Sequence, residues 1–167
     1  RPDQSLPPAA RDPGRTPIVV LEPMDPSNQA SIGFDMFSEP VRRAAIEKAM
    51  ADDQQHASGL LQLGQGTGAA QTFTGFLVFV RLNVETAPDV INANRSSTAG
   101  FLYAAFRASD LFQTALSRAP LLPVNTEIYD GKVDGDNLLF RSETPPVATI
   151  GDRLLVTRKI VVAGRPW

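Results

Sequence analysis

His56 is the single histidine of this chain, so any histidine-based triad or metal centre must use it, with Asp35 as the acid of a hydrolytic pair. It stands in Gln54-Gln55-His56-Ala57, just past a predicted helix, where a polar linker residue is expected. No Gly-x-Ser-x-Gly elbow and no His-Glu-x-x-His pair accompanies it. Gly64-Gln65-Gly66-Thr67-Gly68 has the glycines of a phosphate cradle. Such a loop must open into a helix N-terminus, and the residues that follow read as a strand, so a hairpin turn is the better reading. In Asp130-Gly131-Lys132-Val133-Asp134-Gly135-Asp136-Asn137 the acids have the look of a calcium loop. Lys132 stands where a second oxygen ligand belongs and no glutamate closes the loop, so a solvated pair of turns is expected. No catalytic residue, metal or cofactor is assigned.

Asp35 can act in two ways. An acid in the tight turn Ile32-Gly33-Phe34-Asp35-Met36, directly before a helix, can bond backbone N–H groups as a local cap. It can also face a space between helix and sheet and fix a polar ligand atom. Arg42 and Arg43 read as solvated charges, with an ion pair to Asp35 or Glu22 as the alternative. Phe76-Leu77-Val78-Phe79-Val80 alternates across a sheet, so Phe76, Val78 and Val80 share one face and Leu77 and Phe79 the other. Both sets suit a core, and either could line an apolar ligand pocket. Asn94-Arg95-Ser96 is a glycosylation sequon only in a eukaryotic secretory setting.

The elements that must position these residues can be read from pattern and punctuation. Residues 1–17, rich in proline, form an extended arm or loop. Residues 18–21 are a short β-branched run, a predicted buried strand. A helix is predicted over 38–52, with Ser38 as its N-cap and Glu39 and Pro40 in its first turn. Val41, Ala45 and Ala49 fall on its inner face beside Ile46 and Met50. Glu39–Arg43 and Arg43–Glu47 are spaced as outer charge pairs. Strands follow over 58–63 and 72–82, joined by residues 64–70, then a polar stretch over 84–98 broken by Pro88. Residues 99–106 form another strand. Ser109 is expected to cap a helix to about Ser117 with Leu111, Phe112, Ala115 and Leu116 buried, and Pro120 and Pro123 end it. Strands over 124–129, 137–141 and 153–162 complete the chain. Strands meeting across hairpins with two interrupting helices indicate the α+β class, with antiparallel sheets and flanking helices.

Composition narrows the function classes. The 167 residues are 43% hydrophobic, enough for a buried core. A net charge of -2 argues against a nucleic-acid groove or a polybasic membrane patch. Cysteine is absent, so no disulfide or thiolate metal site exists. No apolar run reaches the length of a membrane span, and the N-terminus does not read as a signal peptide. A start on Arg1 and an end in the strand-like Ile160-Val161-Val162-Ala163-Gly164-Arg165-Pro166-Trp167 suggest an excised piece of a longer protein.

The order of these features resembles the CHASE domain, the extracytoplasmic sensor module of membrane-bound histidine kinases and nucleotide cyclases. The carriers are Leu21-Glu22-Pro23 with Asn28, then Gly33-Phe34-Asp35-Met36, then a helix bearing Arg42, Arg43, Ala44 and Ala49. The hairpin strand around Ser58–Gln65, the aromatic strand over 75–82, Gly100-Phe101-Leu102-Tyr103-Ala104-Ala105-Phe106, Asp110-Leu111 and Ile128-Tyr129-Asp130 follow in order. The resemblance implies two PAS-like lobes, the second one partial. A membrane-distal ligand-binding lobe would span 1–107 and a truncated membrane-proximal lobe 108–167. It implies a small-molecule ligand held by Asp35, Ser58, Leu63, Gly64, Val78 and Phe79. It further implies a homodimeric parent receptor, attached to the plasma (inner) membrane through flanking helices outside this chain, with this part on the periplasmic or extracellular side and no nucleic-acid partner. In the plant receptors of the family the ligand is a cytokinin, an adenine derivative. Here Phe79 stands where those receptors carry a small hydroxyl residue, and Arg81 and Asn83 replace a proline and a tyrosine. A bulky ring crowds an adenine-sized ligand, so the departures suit a bacterial member with a different ligand.

Three functions are therefore carried forward. The first is a ligand-sensing domain of a histidine kinase or diguanylate cyclase/phosphodiesterase receptor. The second is a non-catalytic periplasmic interaction module whose pocket is packed shut by Leu63, Leu77 and Phe79. The third is a hydrolase using Asp35 and His56.

Overall fold

The computed structural model describes residues 15–64, 72–84, 97–117, 125–142 and 155–167. Residues 1–14 of the arm expected over 1–17, residues 65–71 of the glycine-rich connection, the stretch 85–96 with its sequon, Pro120 and Pro123, and residues 153–154 lie outside the described residues. The chain is α+β, with antiparallel strands and two principal helices.

A four-stranded sheet is organised by its longest strand. β1 (His56–Ala57) and β2 (Leu61–Gly64) lie in tandem along one edge of β3 (Thr72–Val84), and β4 (Ser97–Arg107) pairs along the other. The single strand expected over 58–63 is thus broken. His56 pairs with Phe79, but Leu61 pairs with Gly75, so the edge slips by one residue between the two pieces. Ser58 stands at the slip. Its N–H donates to the Leu77 carbonyl at 2.7 Å, and its hydroxyl accepts the Leu77 N–H at 2.9 Å and donates to the Gly59 carbonyl at 2.8 Å. A hydroxyl replaces the ladder carbonyl that the extra residue displaces, which is how a bulge keeps its buried donors satisfied.

Alternation along β3 builds two cores on opposite faces. Leu77 and Phe79 pack with Leu61, Leu63, Ile18, Met36 and the inner face of α2 (Pro40–Asp52). Phe76 packs on the other face with Ala57, Phe112, Leu139 and Trp167. Phe76 and Phe79 are each 1% exposed, burial worth about 1.5–3 kcal/mol apiece. The second face is covered by α3 (Ala108–Ser117), the β5 (Glu127–Tyr129)–β6 (Leu138–Arg141) pair and the β7 (Val161–Val162)–β8 (Arg165–Pro166) hairpin. Trp167 meets Phe76 and Phe112 edge-on, with ring centroids 4.8 and 5.6 Å apart.

Several local expectations are corrected. Residues 18–21 are not a strand: only Pro17 bridges to Asp35, Ile18 is buried, and Val20 is 70% exposed. β-Branched composition marked a pairing segment, but its partner 33–36 is a turn, which leaves one face in solvent. α2 begins two residues later than expected. Glu39, not Ser38, is its N-cap, accepting from the Val41 and Arg42 N–H groups at 2.9 Å each, with Pro40 in the first turn. Ser38 closes the preceding 3-10 turn, Met36–Ser38, by donating to the Asp35 carbonyl. Glu39 is thereby committed to the cap, and Arg43 lies over the Phe37 ring, 6.0 Å from its centroid. Met50 is exposed while Ala45, Ile46 and Ala49 are buried.

In α3, which starts directly from β4, Leu111 and Phe112 meet the core, but Ala115 is exposed and Leu116 is 38% exposed. Of the strand expected over 153–162, residues 155–160 are not strand, and Val161–Val162 is, paired through the Ala163–Gly164 turn.

Candidate functional site

The six residues marked as ligand contacts fall at three levels of this architecture. Asp35 is half-buried, and its Oδ1 accepts from Thr16 N–H at 2.8 Å and Phe37 N–H at 3.0 Å. It is a local cap that ties the chain entering the fold to the turn before α2. Ser58 is buried in the bulge, its hydroxyl occupied in both directions. Leu63 and Phe79 are brought together in the α2-side core, where Phe79 meets the Tyr103 ring at a 5.9 Å centroid separation. Gly64, opposite Thr72 at the end of β2, is exposed, and a Cβ there would touch nothing within 4 Å. Val78 points away from Phe79 into the α3-side core, between Ala57 on β1 and Ala104 on β4.

At one edge of the α2-side core β4 runs beside Phe79, and Arg42 stands in the first turn of α2. Phe101 and Tyr103 on β4 share Phe79's face and are half-buried, while Ala105, the next on that face, is exposed. Burial raises the Tyr103 phenol above its ordinary value, and the nearby positive charge of Arg42 acts against that rise. Arg42 lies with its guanidinium 5.0 Å from the centroid of the exposed Phe34 ring. The ion pair considered for Arg42 with Asp35 or Glu22 is absent among the described residues; Asp35 serves the backbone instead. Arg42, Phe34 and Tyr103 were missed as a group. The Arg42–Phe34 spacing of eight residues, across a turn and a helix start, carries no periodic signal, and Tyr103 arrives from a distant strand.

The two departures in β3 have a structural use. Arg81 donates to the Met50 carbonyl at 3.1 Å and pairs with Asp53 at 3.0 Å, while Asn83 bonds Asp53 at 3.3 Å. Asp53 ends α2 in a left-handed conformation (φ 56), so these two side chains clasp the end of the helix to the sheet.

The other two motifs serve local structure. His56 Nε2 lies 2.9 Å from both oxygens of Asp52, and its bonds hold the Asp52 carboxyl below its ordinary range after those from the Gln54 backbone. Asp35 and His56 therefore have separate partners and do not form a catalytic pair. Asp130 is 8% exposed and accepts from Arg165 Nε and, at 2.8 Å, Arg165 Nη2, and from Leu60 N–H at 2.9 Å. Asp134 caps the 3-10 turn Gly135–Asn137. Among the described residues no cluster of histidine and acids is arranged to hold a metal ion. No described helix is long and apolar enough to cross a membrane.

The family model described as the CHASE domain matches residues 1–140. No curated protein matches the chain.

Proposed function

This chain belongs to the CHASE domain family, a family of extracytoplasmic sensory domains rather than catalytic ones, and from that membership we propose that it senses a small molecule for a transmembrane signalling receptor. The parent is a histidine kinase or a diguanylate cyclase/phosphodiesterase, and the domain stands on the periplasmic or extracellular side of its membrane. Residues 1–107 form the membrane-distal PAS-like lobe and 108–167 the partial membrane-proximal one, in a homodimeric receptor.

The observation that carries the ligand reading is the α2-side core at Phe79. It is sealed by α2 over Leu77 and Phe79, yet along β4 it ends in half-buried Phe101 and Tyr103 and an exposed Ala105. An aromatic edge of this kind, rimmed by a cation and a phenol, has the composition of a small-ligand site. In this reading Leu63 and Phe79 form the apolar floor, and Asp35, Ser58, Gly64 and Val78 hold the backbone around it. A ligand signals only through different affinities for two receptor states.

The test is a thermal-shift screen of small molecules, followed by chemical-shift mapping of each hit. A true ligand stabilises saturably, by about 2.7 kcal/mol at a hundredfold excess over Kd. Perturbations centred on Leu63, Phe79 and Tyr103 support the site; perturbations confined to the α3-side core overturn it. One observation favours the interaction-module alternative: Leu63, Leu77 and Phe79 are all buried in one cluster. A screen without a saturable hit, together with capture of a periplasmic partner by the intact domain, would decide for that reading.

A further inference from the structure

We propose that Arg42 is an anion receptor and that the ligand of this domain carries a carboxylate on a flat, unsaturated body. This rests on the ligand-sensing reading and narrows its chemistry. Among the described residues Arg81 pairs with Asp53 at 3.0 Å, Arg107 with Asp110 at 3.5 Å, Arg141 with Glu127 at 2.7 Å, and Arg165 with Asp130. Arg42 differs. It has no carboxylate partner among the described residues; its guanidinium rests on the exposed Phe34 ring, and its Nε, like that of Arg107, is buried with no hydrogen-bond acceptor among them.

The two acids before α2 are committed elsewhere. Asp35 accepts from the Thr16 and Phe37 amides. Glu39 accepts from the Val41 and Arg42 amides with its two oxygens. Glu39 uses both oxygens and Asp35 its Oδ1 on backbone donors, and neither reaches the Arg42 fork, which keeps an unanswered N–H. Arginine presents Nε and Nη donors in a plane matched to the two oxygens of a carboxylate, so an acceptor there forms a charge-assisted, bidentate bond. Phe34 is 42% exposed, so its ring offers an aromatic surface beside the guanidinium. Tyr103 lies within the electrostatic reach of Arg42 and meets Phe79, the buried floor of the same core. Cation, exposed ring and phenol together suit a carboxylate joined to a planar group better than a neutral base.

Benzoate and its neutral isostere benzamide are the probes. In the isotopically labelled chain, the Arg42 Nε–Hε signal is followed while each is titrated. Benzoate is expected to shift it saturably and to raise the melting temperature, with benzamide weaker by about tenfold or more. Arg42→Gln should abolish the benzoate response, and Arg42→Lys, which keeps the charge without the fork, should retain a weakened one. The signal is read first in the unaltered chain, so the result survives a variant that fails to fold. Equal binding of benzoate and benzamide, or a benzoate response kept in Arg42→Gln, overturns the anion receptor while leaving ligand sensing intact. An Arg42 signal that stays still at saturating benzoate also overturns it. A screen in which no neutral or anionic compound binds removes the sensing reading itself.

Discussion

The hydroxyl of Ser58 accepts the backbone N–H of Leu77 at 2.9 Å, at the point where the edge strand slips by one residue along β3. This bond lets β1 and β2 share one edge and keeps Leu77 and Phe79 on the α2 side. Ser58→Ala leaves a buried amide without an acceptor and is expected to cost about 1–3 kcal/mol. Urea denaturation of the two chains measures it; an unchanged midpoint would mean that the bulge is satisfied in another way.

A second junction ties the sheet to the end of the chain. Asp130 holds Arg165 with both oxygens and the Leu60 amide with one of them, directly beside Gly59. A Cβ on Gly59 would stand 2.9 Å from Arg165 Nη2 and 3.0 Å from Val41 Cγ1. Asp130→Ala should destabilise by about 3 kcal/mol, the low end for a broken buried pair because Arg165 is partly solvated. Gly59→Ala should push apart the same contact. If Asp130→Ala leaves the Trp167 fluorescence and the melting temperature unaltered, the junction does not hold the C-terminal hairpin.

The β5–β6 pair predicts a pH dependence on two sides. Tyr129 donates to Glu127 at 2.5 Å and Arg141 donates to the same carboxylate at 2.7 Å. The Tyr129 bond, then the Arg141 bond, holds the Glu127 carboxyl below its ordinary value, and the Glu127 bond raises the Tyr129 phenol. The depressed carboxylate contributes stability above its unfolded value and loses it as pH falls through its lowered folded one. The raised phenol contributes below about pH 10 and loses it as pH rises further. Both groups are exposed, so the effects are small and are best read from amide shifts of the hairpin. Tyr129→Phe should remove the alkaline limb; an unaltered alkaline limb would trace it to another phenol such as Tyr103.

Gly164 turns the C-terminal hairpin with φ 72, and a Cβ there would sit 2.8 Å from His56 Nδ1. Gly164→Ala therefore meets both left-handed strain, about 1–2 kcal/mol, and the imidazole ring. Asp52 is held below its ordinary value first by the Gln54 amide, which stays, and then by His56; displacing His56 should let the carboxyl rise part of the way back, so the variant loses less stability on acidification than the parent does. A pH titration of the Asp52 side-chain carbon in both chains checks this. An identical titration would show that His56 keeps its place.

Much of this was legible in the residues. The alternation of Phe76-Leu77-Val78-Phe79-Val80 correctly divided the two faces of β3, because side chains of a strand must point to opposite sides. The inner face of α2 followed from helical spacing at Ala45, Ile46 and Ala49. Its first residue did not, because Ser38 is a favoured cap and glutamate is not, and only the 3-10 turn before them shows that Ser38 is already used. Residues 18–21 misled because β-propensity reports fitness for a sheet surface and says nothing about whether a partner strand arrives.

For the candidate site, Asp35 was recognised with its capping role as one of two readings, and the backbone bonds are those of the cap. The sequence alone determined the α+β class and the family resemblance, since both rest on periodicity, punctuation and ordered short motifs that are local properties of the chain. Only the tertiary structure decided that Val78 turns from Phe79, that Asp130 is committed to Arg165, and that Arg42 lies over Phe34. Those relations join residues from separate elements through contacts that no local pattern encodes.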